Sequence, residues 1–147
     1  MREEISREIM TLGHVHRQYA EEALSTIGLH APQEQIQFLL HQEDGLTPTQ
    51  LASRIFHVGH VGIATMVKTI QRMERAGFVI RRPDPTDGRA SRVYLTEHGR
   101  AMYDPALQIW QELTERTVQG MPDVEQALFR RLLQQAVANL TLHENGP

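Results

Sequence analysis

Apolar residues return at three- and four-residue steps along the N-terminal segment, at Ile5, Ile9, Leu12, Ala23 and Ile27, with His16 and Tyr19 on the same side. That spacing predicts one long amphipathic helix, which Gly28 stops. Pro32 opens a second helix through Gln33, Glu34 and Gln35 into Ile36, Phe38, Leu39 and Leu40, and the turn pair Asp44-Gly45 ends it. A third helix starts at Thr47-Pro48-Thr49-Gln50: Thr47 can cap, Pro48 suits the first helical position, and Gln50 sits where a capping box needs it. It is short, because His57-Val58-Gly59-His60-Val61-Gly62 reads as a turn. Ile63, Met66, Val67, Ile70 and Met73 then recur at helical spacing, with Lys68, Arg72 and Arg75 available for other faces and Gly77 as the stop.

The period changes after Gly77. Phe78 to Arg82 and Ser91 to Leu95 read as two strands, and Pro83-Asp84-Pro85-Thr86-Asp87-Gly88 between them is dense in turn formers. Thr96 caps a long helix carrying Tyr103, Leu107, Trp110, Leu113 and Val118. Gly120-Met121-Pro122 breaks it, and a last helix carries Val124, Leu128, Leu132, Leu133, Ala136, Val137 and Leu140. The predicted fold is therefore mainly α with a small β-hairpin wing: a winged helix-turn-helix with N- and C-terminal dimerisation helices. The chain divides into a winged lobe over about residues 32–100 and dimerisation helices over about 1–30 and 101–147, all within one domain. The terminal helices carry more apolar residues than a small winged lobe needs to cover itself, so they are expected to pack on a second copy. The alternative is that they fold back on their own lobe.

Length and composition agree with this reading, since 147 residues at 40% apolar content suffice for a real core. No run reaches the length of a membrane span and the charged N-terminus has no apolar signal region, so a cytoplasmic address is expected. The lack of cysteine excludes a disulfide framework and thiol chemistry. Charge changes the picture more. The formal net charge of −3 hides nine Lys/Arg against four Asp/Glu between Arg54 and Arg100, while the rest of the chain has six against fourteen. A local basic patch is what counterion release from DNA requires, whatever the average charge.

A helix-turn-helix followed by a hairpin can place its second helix in a major groove while the hairpin tip reaches a neighbouring minor groove. Lys68 and Arg72 lie one turn apart on that second helix, and Arg89 lies at the hairpin tip. A guanidinium suits the concentrated negative potential of a narrow minor groove. Asp87 can shape the tip through a charge-assisted hydrogen bond. Thr65 and Thr69 are candidates for phosphate or base-edge contacts, and Ala64 is small enough to let the helix approach a thymine methyl.

The stretches LTPTQLASRI, QRMERAGFV and RRPDPTDGRASRVYLTEHGR together resemble the MarR (multiple antibiotic resistance regulator) family of winged-helix transcription factors. Asp84-Pro85, Asp87, Arg89, Leu95-Thr96 and Gly99-Arg100 carry the most specific part of the likeness. It implies a homodimer on a pseudo-palindromic operator of double-stranded DNA, most often a repressor, often released by a small aromatic or lipophilic ligand. One departure is the passage from Ile55 to Thr65, about four residues longer than the family's usual turn, or near one helical turn. The recognition helix then starts at Gly62, or an extra turn extends the helix before it.

The resemblance also implies a ligand pocket where the first, second and fifth helices meet the DNA-binding lobe, with Met10, His14, Arg17, Phe38, Tyr103 and Trp110 as wall residues. Each is equally an ordinary helix-packing residue. Eight histidines raise the question of a metal. His14 and His16 point to different sides of a helix, and His57 and His60 have a spacing a loop can use for zinc, but no carboxylate stands beside them. Surface or core histidine is the default, and neither a metal nor another cofactor is expected. No nucleophile-base pair, phosphate loop or paired carboxylates stand out, so an enzyme is not expected. The rival is a winged-helix module that binds an acidic protein partner and does not discriminate among DNA sequences.

Overall fold

The computed structural model of the chain describes residues 1–55 and 62–141. Seven helices and one hairpin follow in order among the described residues: α1 (Arg2–Ser25), α2 (Gln33–Gln42), α3 (Pro48–Arg54), α4 (Ile63–Arg75), β1 (Val79–Pro83), β2 (Ser91–Leu95), α5 (Glu97–Ala101), α6 (Tyr103–Thr117) and α7 (Asp123–Thr141). The chain forms two compact units, Met1–Gln111 and Glu112–Pro147.

The first unit is organised around one apolar core. Leu24 and Leu29 enter it from the end of α1 and the turn beyond, Ile36 and Leu40 from α2, Leu51 from α3, Met66, Ile70 and Met73 from α4, and Val79, Val93 and Leu95 from the hairpin. Each of these helices buries an apolar stripe, which explains why the three- and four-residue spacing was legible, although α2 also buries Gln33, Glu34 and Gln37. The start of α3 follows its sequence signal closely. The Thr47 side chain accepts from the Gln50 backbone N–H at 3.2 Å, and Gln50 Oε1 accepts from the Thr47 N–H at 2.9 Å.

α4 ends in a hydrogen-bonded cap that also starts the hairpin. Gly77 has φ +79°, a conformation glycine adopts without strain, and the N–H groups of Gly77 and Phe78 donate to the carbonyls of Glu74 and Met73 at 3.0 and 2.9 Å. Because Phe78 uses its N–H in this cap, the strand begins at Val79, one residue later than the sequence suggests, and it runs on to Pro83. The strands pair antiparallel with Val79 opposite Leu95 and Pro83 opposite Ser91. An isolated bridge between Leu46 and Val93 adds a one-residue third strand on the far edge of β2. The Asp44-Gly45 turn is thus part of the wing's base as well as the end of α2.

The long helix expected after Thr96 is instead two helices. Thr96 caps α5, accepting from the Gly99 N–H at 3.0 Å, but α5 ends at Ala101 and α6 begins at Tyr103. Pro105 has no N–H to donate to the Ala101 carbonyl, and its ring crowds that carbonyl, so the helix cannot continue through this point. Gly99 is held in place by packing: a Cβ there would lie 2.0 Å from the Phe78 carbonyl oxygen.

The second unit consists of the end of α6, a turn with Gly120 at φ +85°, and α7. α7 has no buried residue. Val124, Leu128, Leu132, Leu133, Val137 and Leu140 are all exposed along it. Among the described residues no helix is long and apolar enough to cross a membrane.

Candidate nucleic-acid interface

The surface that could meet DNA is built from α4 and the wing. α4 begins at Ile63 with Gly62 at its N-cap position, so this helix starts next to where the first of the two sequence alternatives puts it. The longer passage before it, including His57 and His60, lies outside the described residues. With Met66, Ile70 and Met73 turned into the core, helical geometry leaves Ala64, Thr65, Lys68, Gln71, Arg72 and Arg75 on the exposed side. That face holds three cations and no anion. Glu74, the one acidic residue of α4, is drawn toward the wing, where its Oε2 lies 2.9 Å from an Arg81 terminal nitrogen and 3.1 Å from Arg81 Nε.

Thr69 departs from the sequence expectation. It is only 7% exposed, and its hydroxyl donates to the Thr65 carbonyl at 2.9 Å, so it faces the core and presents no group on the outer side of α4. Its position one turn from Met66 and from Met73, and next to Ile70, explains this, since it borders their stripe. Gln71 occupies the outer position instead. The signal that finds it is the helical wheel, because residues 64, 68, 71 and 75 repeat at three and four.

The wing loop is held from within. Asp84 is buried although it belongs to an exposed loop. Its Oδ1 accepts from the Thr86 N–H and the Thr86 hydroxyl, both at 2.8 Å, and its Oδ2 accepts from Arg92 Nε at 2.9 Å. The bonds from Thr86, assisted by Arg92, lower its pKa from the ordinary 3.8 to about 2. Asp87 Oδ1 accepts from the Arg89 backbone N–H at 3.0 Å. This leaves the Arg89 guanidinium exposed at the tip. A shallow open groove beside it is lined by Arg81, Arg82, Arg89, Gly88, Ser91 and Glu74. Arg82 also lies over the Tyr94 ring, 5.6 Å from its centroid. Among the described residues no ion pair engages Lys68, Arg72, Arg75 or Arg89.

The proposed pocket residues are dispersed. Met10, His14 and Arg17 are exposed on α1. Phe38 and Tyr103 meet edge to face at 5.4 Å, and His41, not singled out from sequence, stacks on Tyr103 at 3.7 Å. Trp110 is half-buried with the His16 ring 5.9 Å away. Nearby on α2, Glu34 is buried, and burial raises its pKa from 4.5 to about 7 against the opposing effect of backbone hydrogen bonds. Among the described residues no three of His, Asp or Glu converge as a metal site would require.

Comparison with known proteins agrees with this architecture. The MarR family model matches residues 29–91, from the turn before α2 through the wing. The HTH-type transcriptional repressor IacR of Pseudomonas putida is 25% identical over 132 residues, covering 88% of this chain and 77% of that protein. A MarR-like transcription regulator from Bacillus cereus ATCC 10987 superposes with a TM-score of 0.80 at 21% identity, covering 95% of this chain and 97% of the other. A mutant MarR from E. coli crystallised with operator DNA superposes with a TM-score of 0.77 at 23% identity, covering 90% and 92%. The winged arrangement of α3, α4 and the hairpin is the fold of these MarR-like structures, and residues 29–91 are similar to the MarR family.

Proposed function

We propose that the chain is a sequence-specific DNA-binding repressor that acts in the cytoplasm as a homodimer on a pseudo-palindromic operator. The observation that carries this reading is the exposed, unneutralised row of Lys68, Arg72 and Arg75 on α4, in the same lobe as Arg89 at the wing tip. In a dimer, two such helices would enter successive major grooves about one helical turn apart, and the two wings would reach the flanking minor grooves. Support also comes from the relative named as a transcriptional repressor and from the superposable structure that holds operator DNA.

The homodimer is supported by apolar surface that the chain leaves uncovered. α7 exposes Val124, Leu128, Leu132, Leu133, Val137 and Leu140, and α1 separately exposes Ile5, Ile9 and Met10. Exposed apolar surface of this extent marks association surfaces. A small aromatic or lipophilic effector, favouring a dimer geometry with the wrong helix spacing, would release the operator. The rings of Phe38, His41 and Tyr103 offer it an apolar wall.

The test is a gel-shift titration on the DNA upstream of the chain's own gene, with excess nonspecific competitor and at two salt concentrations. A discrete complex that survives competitor is the expected result. Binding that disappears with competitor there and on selected random-sequence DNA would remove sequence-specific regulation and leave the protein-binding module as the better account.

A further inference from the structure

We infer that Arg92 is a positioning residue that sets the reach of the wing, fixing where Arg89 lies relative to α4. This rests on the reading that α4 and the wing bind DNA together. Arg92 touches two parts of the chain that are far apart in sequence. Its Nε donates to Asp84 Oδ2 at 2.9 Å, at the start of the wing loop, and a terminal nitrogen donates to the Gly45 carbonyl at 3.2 Å, in the connection between α2 and α3.

Each acceptor is held independently. Gly45 sits at φ +78° against the Tyr94 ring, which would lie 2.9 Å from any Cβ, and its N–H donates to the Val93 carbonyl at 3.0 Å. The preceding Asp44 accepts from the Leu95 N–H at 3.0 Å and pairs with Arg100. On the wing side, the Asp84 N–H closes the loop onto the Ala90 carbonyl at 2.9 Å, and the Ala90 N–H donates to the Asp87 carbonyl at 3.0 Å. Asp87 in turn holds the Arg89 N–H. Hydrogen bonds therefore run from the base of α3, through Arg92 and Asp84, to the backbone of the residue at the tip.

A two-stranded ribbon is flexible by itself, so its angle to the lobe must be set by tertiary bonds. The guanidinium fork suits this task because its donors diverge in a rigid plane, whereas one lysine ammonium cannot reach both acceptors in the same geometry. Asp84 adds a penalty for losing the arrangement. It is 8% exposed, and without Arg92 its second oxygen would stay buried with no charged partner.

Anisotropy titrations of the full chain on its operator over a series of salt concentrations test the inference, using wild type, Arg92→Gln, Arg92→Lys, Arg89→Ala and the Arg89→Ala/Arg92→Gln double variant. Arg92→Gln and Arg92→Lys should each weaken binding roughly tenfold, with a salt slope no shallower than that of Arg89→Ala, as loss of a charge-assisted bond that acts through geometry. In the Arg89→Ala background, Arg92→Gln should add nothing, since the residue it positions is gone. A salt slope that falls further when Arg92→Gln is added to Arg89→Ala would mean that Arg92 itself touches phosphate and would overturn the inference. Full recovery by lysine, additive losses in the double variant, or unchanged affinity would overturn it equally. Failure of the wild type to form any specific complex would instead bring down the DNA-binding reading, and the inference with it. Thermal unfolding checks that each variant folds. If Arg92→Gln does not, Asp84→Asn keeps the loop's acceptor for Thr86, weakens the arginine's partner, and should give the same loss at the same slope.

Discussion

α4 and α7 are both amphipathic helices of the same chain, and their sequence periods look alike, but only α4 has a core to enter. Met66, Ile70 and Met73 of α4 are at most 1% exposed, whereas Leu128, Leu132 and Val137 of α7 are between 48% and 61% exposed. An apolar stripe therefore reports that a helix will be covered, without saying by what. In α4 the cover is the chain's own lobe, and the opposite face is freed to carry cations. In α7 the stripe stays bare, which is the condition for association with a second copy.

The sharpest way to break this comparison is to charge the bare surface. Leu128→Asp with Leu132→Asp should abolish the proposed dimer in sedimentation equilibrium and lower operator affinity on the order of 100-fold, since central apolar anchors dominate interface energy. The lobe itself should keep its unfolding midpoint when monomers are compared. A dimer that survives both charges would locate the partner surface elsewhere.

The complementary test truncates the covered stripe. Met73→Ala removes a fully buried side chain and should cost about 2–5 kcal/mol in denaturant unfolding, by lost burial plus the cavity left behind. A loss below about 1 kcal/mol would show that α4 is not anchored as described.

A third test asks how fully the lobe satisfies its own groups. Glu34 is 2% exposed, its Oε2 has no hydrogen-bond partner among the described residues, and its pKa is raised to about 7. The folded chain thus holds a proton that the unfolded chain releases near pH 4.5, so this group's stabilisation is complete below pH 4.5 and is lost as pH rises through 7. Glu34→Gln should remove that dependence and raise stability at pH 8 by up to about 3 kcal/mol. Parallel pH profiles for variant and wild type would refute the assignment.

The smallest expected effect is on the cationic face. Lys68→Ala should leave the unfolding midpoint unchanged and weaken operator binding several-fold, with the salt slope reduced by about 0.9 for one lost phosphate contact. An unchanged slope would remove Lys68 from the backbone contacts.

Much of the fold could be read from residue order because the informative signals are local. Thr47-Pro48-Thr49-Gln50 encodes a cap whose partners lie within one turn, and Gly77 encodes a stop through its own backbone freedom. The α4 face was legible for the same reason, as helical geometry alone carries Lys68 and Arg72 away from Met66 and Met73. Thr69 was misplaced only because its chemistry was weighed without its position on the wheel. Met102 was missed as a break because the interruption depends on Pro105 acting one turn back.

The sequence by itself determined most of the helical segments, that a basic hairpin follows two short helices, and that the cations of α4 share one side. These follow from contacts a few residues long. The tertiary structure alone decided how the wing is held. Arg92 reaches Gly45 across 47 positions, Asp44 reaches Arg100 across 56, and Gln37 donates at 2.8 Å to the Gly99 carbonyl across 62. No local pattern encodes such pairs, because a side chain's partner at long range is chosen by how the elements pack, and that choice is made only once the shared core has closed.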